Sequence, residues 1–214
     1  MKGSGAGVYN IPMEMYVFDL APLREHMDEA LALLAPARRD KALRLRRELP
    51  RLHSVGAGLL LARLFPGRSP ELGPGGKPYL PGERCFSLSH SAEKAVIALS
   101  NVPVGADIQH ASPVSEALRR WVLTPREIRE GEDFFRCWTR KEAALKCLGT
   151  GVDRALNSLD VSDDVLTLDG CTICLHTICF GDYTLSGAAL GASAAFTLRE
   201  LTWDDLVDAK EATP

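Results

Sequence analysis

The clearest pattern of apolar and polar positions lies at residues 104–109, where Val104, Ala106 and Ile108 alternate with Gly105, Asp107 and Gln109. Period-two alternation predicts a β-strand with one apolar face and puts Asp107 and Gln109 together on the other. Gly105, on that polar face, leaves room for something to approach the strand closely. Similar runs predict strands at 85–89 and 95–100. Ahead of them the chain reads as a strand at 17–20, a helix at 25–34 stopped by Pro36, and an apolar helix at 53–65 beyond a break at Pro50. Gly56 and Gly58 in that last helix permit close approach of another backbone. Residues 66–82 are rich in turn formers. The order then recurs, with helices at 116–121 and 133–148 and strands near 159–161, 165–168, 172–179, 183–189 and 194–198. Helix followed by strands, twice in tandem, predicts an α+β fold of two pseudo-symmetric halves, each a small antiparallel sheet with helices. The halves divide as 8–108 and 109–214. Residues 1–7 read as a flexible leader, and 204–214 as a short acidic helix end and a frayed tail.

Helical spacing at 134–148 gathers Phe134, Cys137, Trp138, Ala144, Leu145 and Leu148 into one apolar stripe. Lys141 falls inside the stripe, and Glu142 and Lys146 stand at its edge, four residues apart. Charges on the border of a buried face must be paired or bind something: a Glu142–Lys146 pair beside a snorkelling Lys141, or a ligand. At 86–91, Phe86, Leu88 and His90 share a strand face while Ser89 and Ser91 flank the histidine. Hydroxyls, an imidazole and turn amides suit a phosphate, and Lys77 waits upstream in the rigid Gly76-Lys77-Pro78 turn.

The chain has 214 residues, 46% of them hydrophobic and 25% charged, which gives a globular composition with ample core. The net charge of −3 removes the global electrostatic case for nucleic acid or an anionic membrane as the main partner. Nowhere do 18 apolar residues stand together, so the expectation is a cytosolic protein with reduced thiols. Residues 38–51 run against the overall balance, with seven basic residues and two acidic ones. Without an aromatic platform among those arginines, RNA binding is disfavoured and most of them read as a solvated helix face. Cys171, Cys174, His176 and Cys179 carry zinc-ligand chemistry, but Cys171 and Cys174 fall on opposite faces of a strand, which favours core thiols.

Taken in order, Gly76-Lys77-Pro78, the serines and histidine of 87–91, Gly105 to Ile108 and the Trp138, Lys141, Glu142, Lys146 pattern resemble the 4'-phosphopantetheinyl transferases of the surfactin-synthetase type. The resemblance spans about residues 38–165. It implies a monomer of two α/β halves with coenzyme A between them. Such enzymes move the phosphopantetheine arm of coenzyme A to a serine of an acyl or peptidyl carrier protein and release adenosine 3',5'-bisphosphate. By the resemblance, Asp107 and Glu142 ligate Mg²⁺ or Mn²⁺, with Gln109 as a neutral third oxygen where many members carry Glu. Lys146 and His90 contact the pyrophosphate with Ser89 beside them, Lys77 and Pro78 hold the nucleotide end, and Glu127 matches an acid that orders the incoming hydroxyl. In the S-x-A-G-x-L-L pattern, written here Arg51-Leu-His-Ser-Val-Gly-Ala-Gly-Leu-Leu60, His53 replaces the cation that usually holds the 3'-phosphate, with Arg51 nearby. A catalytically weak relative that binds coenzyme A or a carrier protein is the rival reading, and Mg²⁺-dependent release of adenosine bisphosphate separates the two.

Overall fold

The structure, a computed structural model, describes residues 13–73, 75–151 and 155–208, so the leader and the last residues of the tail lie outside the described residues. The first elements are β1 (Met13–Asp19), a 3-10 turn (Ala21–Arg24), α1 (Met27–Leu33), α2 (Pro36–Arg44) and α3 (Glu48–Leu64). A small hairpin of β2 (Glu71–Leu72) and β3 (Pro78–Tyr79) follows, then β4 (Cys85–Ser91), β5 (Lys94–Ser100) and β6 (Val104–His110). The second part holds α4 (Glu116–Val122), α5 (Pro125–Glu130), α6 (Phe134–Leu148), a 3-10 turn (Leu156–Ser158), β7 (Val165–Leu168), β8 (Cys171–Phe180), β9 (Tyr183–Leu190), β10 (Phe196–Leu201) and α7 (Trp203–Val207).

Two four-stranded sheets result, ordered β10-β1-β5-β4 and β6-β9-β8-β7. The triplets β1-β5-β4 and β6-β9-β8 are antiparallel throughout and share one connectivity, with helices between the first and second strand in sequence, as the tandem pattern predicted. The expected division at 108/109 falls inside β6, which pairs as one strand with β9. The sheets instead part between β5 and β6, and β10 returns to lie parallel to β1.

Alternation sorts each strand's side chains between two cores. Met13, Met15 and Val17 of β1, Val96 and Ala98 of β5, and Val104, Ala106 and Ile108 of β6 pack together where the sheets meet face to face. The opposite face of the first sheet is covered by α3 through Leu52, Val55, Leu59 and Leu60, and that of the second by α6 through Cys137, Ala144 and Leu145. Each fully buried aliphatic side chain of this kind contributes about 1.5–3 kcal/mol, so these layers are the main source of stability. Cys137 and Cys147 belong to this core, and burial pushes both thiols up to about 12. All six cysteines are free.

Several local differences from the sequence pattern have simple causes. Pro50 does not break a helix: it sits in the first turn of α3, where its missing N–H has no intrahelical partner to lose. Pro36 follows the end of α1 at Leu33, as expected, and also opens α2. Leu159 and Val161 are buried but form no strand, because side chains satisfy the backbone there: Val161 N–H donates to Glu127 and Val161 O accepts from Arg140. Gly56 and Gly58 admit the side chains of Leu20 and Leu34 rather than another backbone. The close backbone approach occurs at Gly105, where a Cβ would lie 1.8 Å from Ala143 O of α6.

Lys141, expected to snorkel, is fully buried and pairs at 2.6 Å with Glu127 of α5, itself fully buried; it also donates to Val122 O. Glu127 in turn closes the capping box of α5 with Thr124. Glu127→Gln leaves the Lys141 ammonium buried without a counter-charge. We expect a loss of about 3–5 kcal/mol in denaturant unfolding, and a loss below about 1 kcal/mol would contradict a structural role for this pair.

Candidate active site

β4 and β6 are the facing edges of the two sheets and share no backbone ladder. An edge strand presents a row of unpaired N–H groups that something must satisfy. Serine side chains do so here, at every second residue of β4. The Ser87 hydroxyl accepts from Ala106 N–H at 3.0 Å, Ser89 from Ile108 N–H at 3.3 Å, and Ser91 from His110 N–H at 3.0 Å. These hydroxyls form the seam between the halves.

The middle serine is also a junction of charge. Ser89 donates to Asp107 Oδ1 at 2.8 Å, and Lys146 Nζ lies 2.6 Å from the same carboxylate oxygen and 3.2 Å from both the Ser89 hydroxyl and Ala106 O. The absence of a Cβ at Gly105 lets α6 come close enough to β6 for Lys146 to reach Asp107. Asp107 is 3% exposed. Glu142, one helical turn before Lys146, makes no hydrogen bond or ion pair to any described residue, so the expected Glu142–Lys146 pair does not form. Burial, and then the charge of Asp107, push the Glu142 carboxyl up from its ordinary value. Gln109 turns its amide nitrogen to Asp107 Oδ2 at 3.3 Å and accepts from Ser91 through its oxygen.

Among the described residues no group of three or more His, Cys, Asp or Glu side chains could hold a metal ion by itself. The donors present nevertheless suit a hard divalent cation, because Asp107 is buried, Glu142 is half-buried with no partner among the described residues, and the two carboxylates repel each other. Gln109 would have to turn its amide to join them as an oxygen ligand.

Two clefts flank this junction and share Leu88. One, of about 220 Å³, is lined by Lys77, Pro78, Leu88, Glu142 and Lys146. The other, of about 440 Å³, is lined by Arg38, Lys41, His53, Leu88 and His90. Lys77 contributes its stem: its ammonium donates to Val104 O at 2.7 Å and to Cys147 O at 3.4 Å, near the carbonyl end of α6, and burial lowers its pKa. Arg51 is turned away to Leu45 O, which accepts from both Nε and Nη2. His53 reaches Ala92 O at 2.8 Å and stacks on His90 with ring centroids 4.1 Å apart. Burial of the ring, then His53 and Lys146, push the His90 imidazole down to about 4, although the residue keeps an exposed edge.

The fold thus brings together Asp107, Gln109, Glu142, Lys146, Ser89, His90, His53, Lys77 and Pro78. It does not bring Glu127 to them, since both oxygens of that carboxylate are spent on Lys141, Thr124 and Val161. Sequence reasoning left Arg38 and Lys41 on a solvated helix face, yet both line the second cleft, and burial lowers the Arg38 pKa. Ser87 and Ser91 were also missed as seam residues; their period-two spacing with Ser89 was the available signal.

Residues 103–184, which carry β6, α6 and most of the second sheet, match the family model described as 4'-phosphopantetheinyl transferase superfamily. The chain is 33% identical over 92 residues to the 4'-phosphopantetheinyl transferase gsp of Aneurinibacillus migulanus, an alignment covering 39% of each chain. It is 38% identical over 95 residues to the 4'-phosphopantetheinyl transferase HetI of Nostoc sp., covering 36% of this chain and 40% of that one. To the 4'-phosphopantetheinyl transferase Sfp of Bacillus subtilis (strain 168) it is 25% identical over 158 residues, covering 64% of this chain and 70% of Sfp. The chain therefore spans about two fifths of gsp and HetI and a little over two thirds of Sfp. The ordered motifs converge on one cleft inside and beside residues 103–184, the part of the chain that is similar to the 4'-phosphopantetheinyl transferase superfamily.

Proposed function

We propose that this protein transfers the 4'-phosphopantetheine arm of coenzyme A to a serine hydroxyl of an apo acyl or peptidyl carrier protein, releasing adenosine 3',5'-bisphosphate. The observation that carries the reading is the junction of Lys146, Asp107 and Ser89, beside Glu142, which has no partner among the described residues, on the wall of a cleft. Phosphoryl transfer needs cations against the pyrophosphate, an acceptor for the hydroxyl proton and little else from the protein. Lys146 supplies a cation that a phosphate oxygen draws from Asp107, and the Arg38 and Lys41 cleft receives the nucleotide phosphates. The serine oxygen forms the new P–O bond, the bond to adenosine bisphosphate breaks, and Glu142 accepts the proton. Asp107 and Glu142, with Gln109 once its amide turns, would hold Mg²⁺ or Mn²⁺, which supplies charge neutralisation on the pyrophosphate when bound. Lys77 serves by fixing the turn and the end of α6, so that the walls of the cleft stay in place. On this reading the protein works as a monomer in the cytoplasm without nucleic acid or membrane. The free cysteines agree with a reducing compartment, and no described helix is long and apolar enough to cross a membrane. Intact-mass measurement of apo carrier proteins incubated with this protein, coenzyme A and Mg²⁺ tests the activity. The expected result is the phosphopantetheine mass increment, and its absence across fatty-acid, polyketide and peptide carriers would overturn the reading.

Asp107→Ala and Glu142→Ala are each expected to lower the transfer rate at least about 100-fold while the protein stays folded, because the site works by electrostatics. Near wild-type rates at limiting Mg²⁺ in either variant would remove that residue from the site.

The two lysines separate by role. Lys146→Ala should lower kcat about 100-fold, as expected for a cation that opposes charge growing in the transition state. Lys77→Ala should instead cost about 1–3 kcal/mol of stability, because two backbone carbonyls lose their donor, and should change kcat only a few-fold. A kcat collapse in Lys77→Ala at unchanged stability would reverse the assignment.

A further inference from the structure

We propose that His53 is a positioning residue that holds the β4–β5 turn and the ring of His90, so that His90 presents itself to the anionic ligand of the second cleft. The proposal rests on the coenzyme A reading above. Ala92 is the first residue of the two-residue loop between Ser91 and Lys94, and it has φ +45, a left-handed conformation that residues with a Cβ seldom adopt. Such a conformation persists only where the surroundings hold it. Three hydrogen bonds from three separate elements do so. His53 Nε2, on α3, donates to Ala92 O at 2.8 Å, and since a carbonyl only accepts, this nitrogen carries the ring proton. The Tyr183 hydroxyl, at the start of β9, accepts from Glu93 N–H at 3.2 Å, and Leu20 N–H donates to Glu93 O at 2.8 Å.

The same His53 ring lies against His90 at 4.1 Å between centroids, tilted by 16°. One side chain therefore fixes both the turn that follows His90 and the face on which its ring rests. His90 and His53 line the cleft that also carries Arg38 and Lys41. With its Nε2 spent on Ala92 O, His53 does not replace the missing cation of the S-x-A-G-x-L-L pattern by binding phosphate through that nitrogen. It acts through its neighbour.

Three variants separate the contributions: His53→Phe keeps the stacked ring, His53→Gln keeps an N–H donor of similar reach, and His53→Ala removes both. One readout needs no ligand and no activity, namely the ring-proton NMR shifts of His90, which the stacked ring displaces. The other is the split between kcat and KM for coenzyme A. In His53→Ala we expect the His90 ring protons to move toward unstacked values and KM for coenzyme A to rise about tenfold, with kcat within about threefold of wild type. His53→Phe should keep the His90 shifts, and His53→Phe and His53→Gln should each recover part of the KM loss. Unchanged His90 shifts in His53→Ala would overturn the proposal. So would an equal KM rise in all three variants with His90 undisturbed, which would mark His53 as a direct ligand contact. If the wild-type protein neither binds nor uses coenzyme A, the functional reading fails while the NMR shifts still decide whether His53 holds His90.

Discussion

The structure depends on a meeting of two sheet edges that do not pair. β4 and β6 close the halves against each other, and the hydroxyls of Ser87, Ser89 and Ser91 take the N–H groups that a backbone ladder would have taken. A continuous ladder would merge the sheets and leave no opening between them. A hydroxyl seam satisfies the edge while keeping the polar face of β6 open to α6 and to a ligand. Because the seam runs through Ser89, the contact that joins the halves also sets Asp107 and Lys146 at 2.6 Å from one another.

Electrostatics then follow from what is left over. The buried Lys141–Glu127 pair is closed on itself and serves packing, whereas Asp107, Glu142 and Lys146 together are unbalanced: one cation stands against two carboxylates, and Glu142 has no described partner. On the proposed function, a divalent cation would offset this excess of negative charge. The local excess of positive charge at 38–51, in a chain whose total is −3, lies on α2 and the start of α3, beside the cleft that Arg38 and Lys41 line. A chain that is acidic overall can thus draw in a polyanion at one place.

Much of this was legible in the sequence. The alternation at 104–109 gave both the strand and the shared face of Asp107 and Gln109, and helical spacing gave α6 with Lys146 at the border of its buried stripe. What remained hidden depended on contacts distant in sequence. Lys141 looked like a snorkelling residue because its partner, Glu127, is on another helix, and the role of Glu127 toward the incoming hydroxyl came from the resemblance alone. Lys77 has the chemistry of a phosphate ligand, and only the fold shows its ammonium bound to the carbonyls of Val104 and Cys147. Serines spaced by two beside a histidine suit a phosphate and an unpaired strand edge equally well, and periodicity does not distinguish them. The return of β10 to the first sheet left no mark in a reading that followed the chain as two consecutive halves.

The claim that the seam builds the site is tested most directly by comparing Ser87→Ala with Ser89→Ala in unfolding and in phosphopantetheine transfer measured side by side. Each substitution strands one buried N–H of β6, and each should destabilise by about 1–3 kcal/mol. Only Ser89 also touches Asp107 and Lys146, so only Ser89→Ala should lower kcat, by about tenfold or more. Equal kcat losses in both variants, or wild-type kcat in Ser89→Ala, would contradict the account.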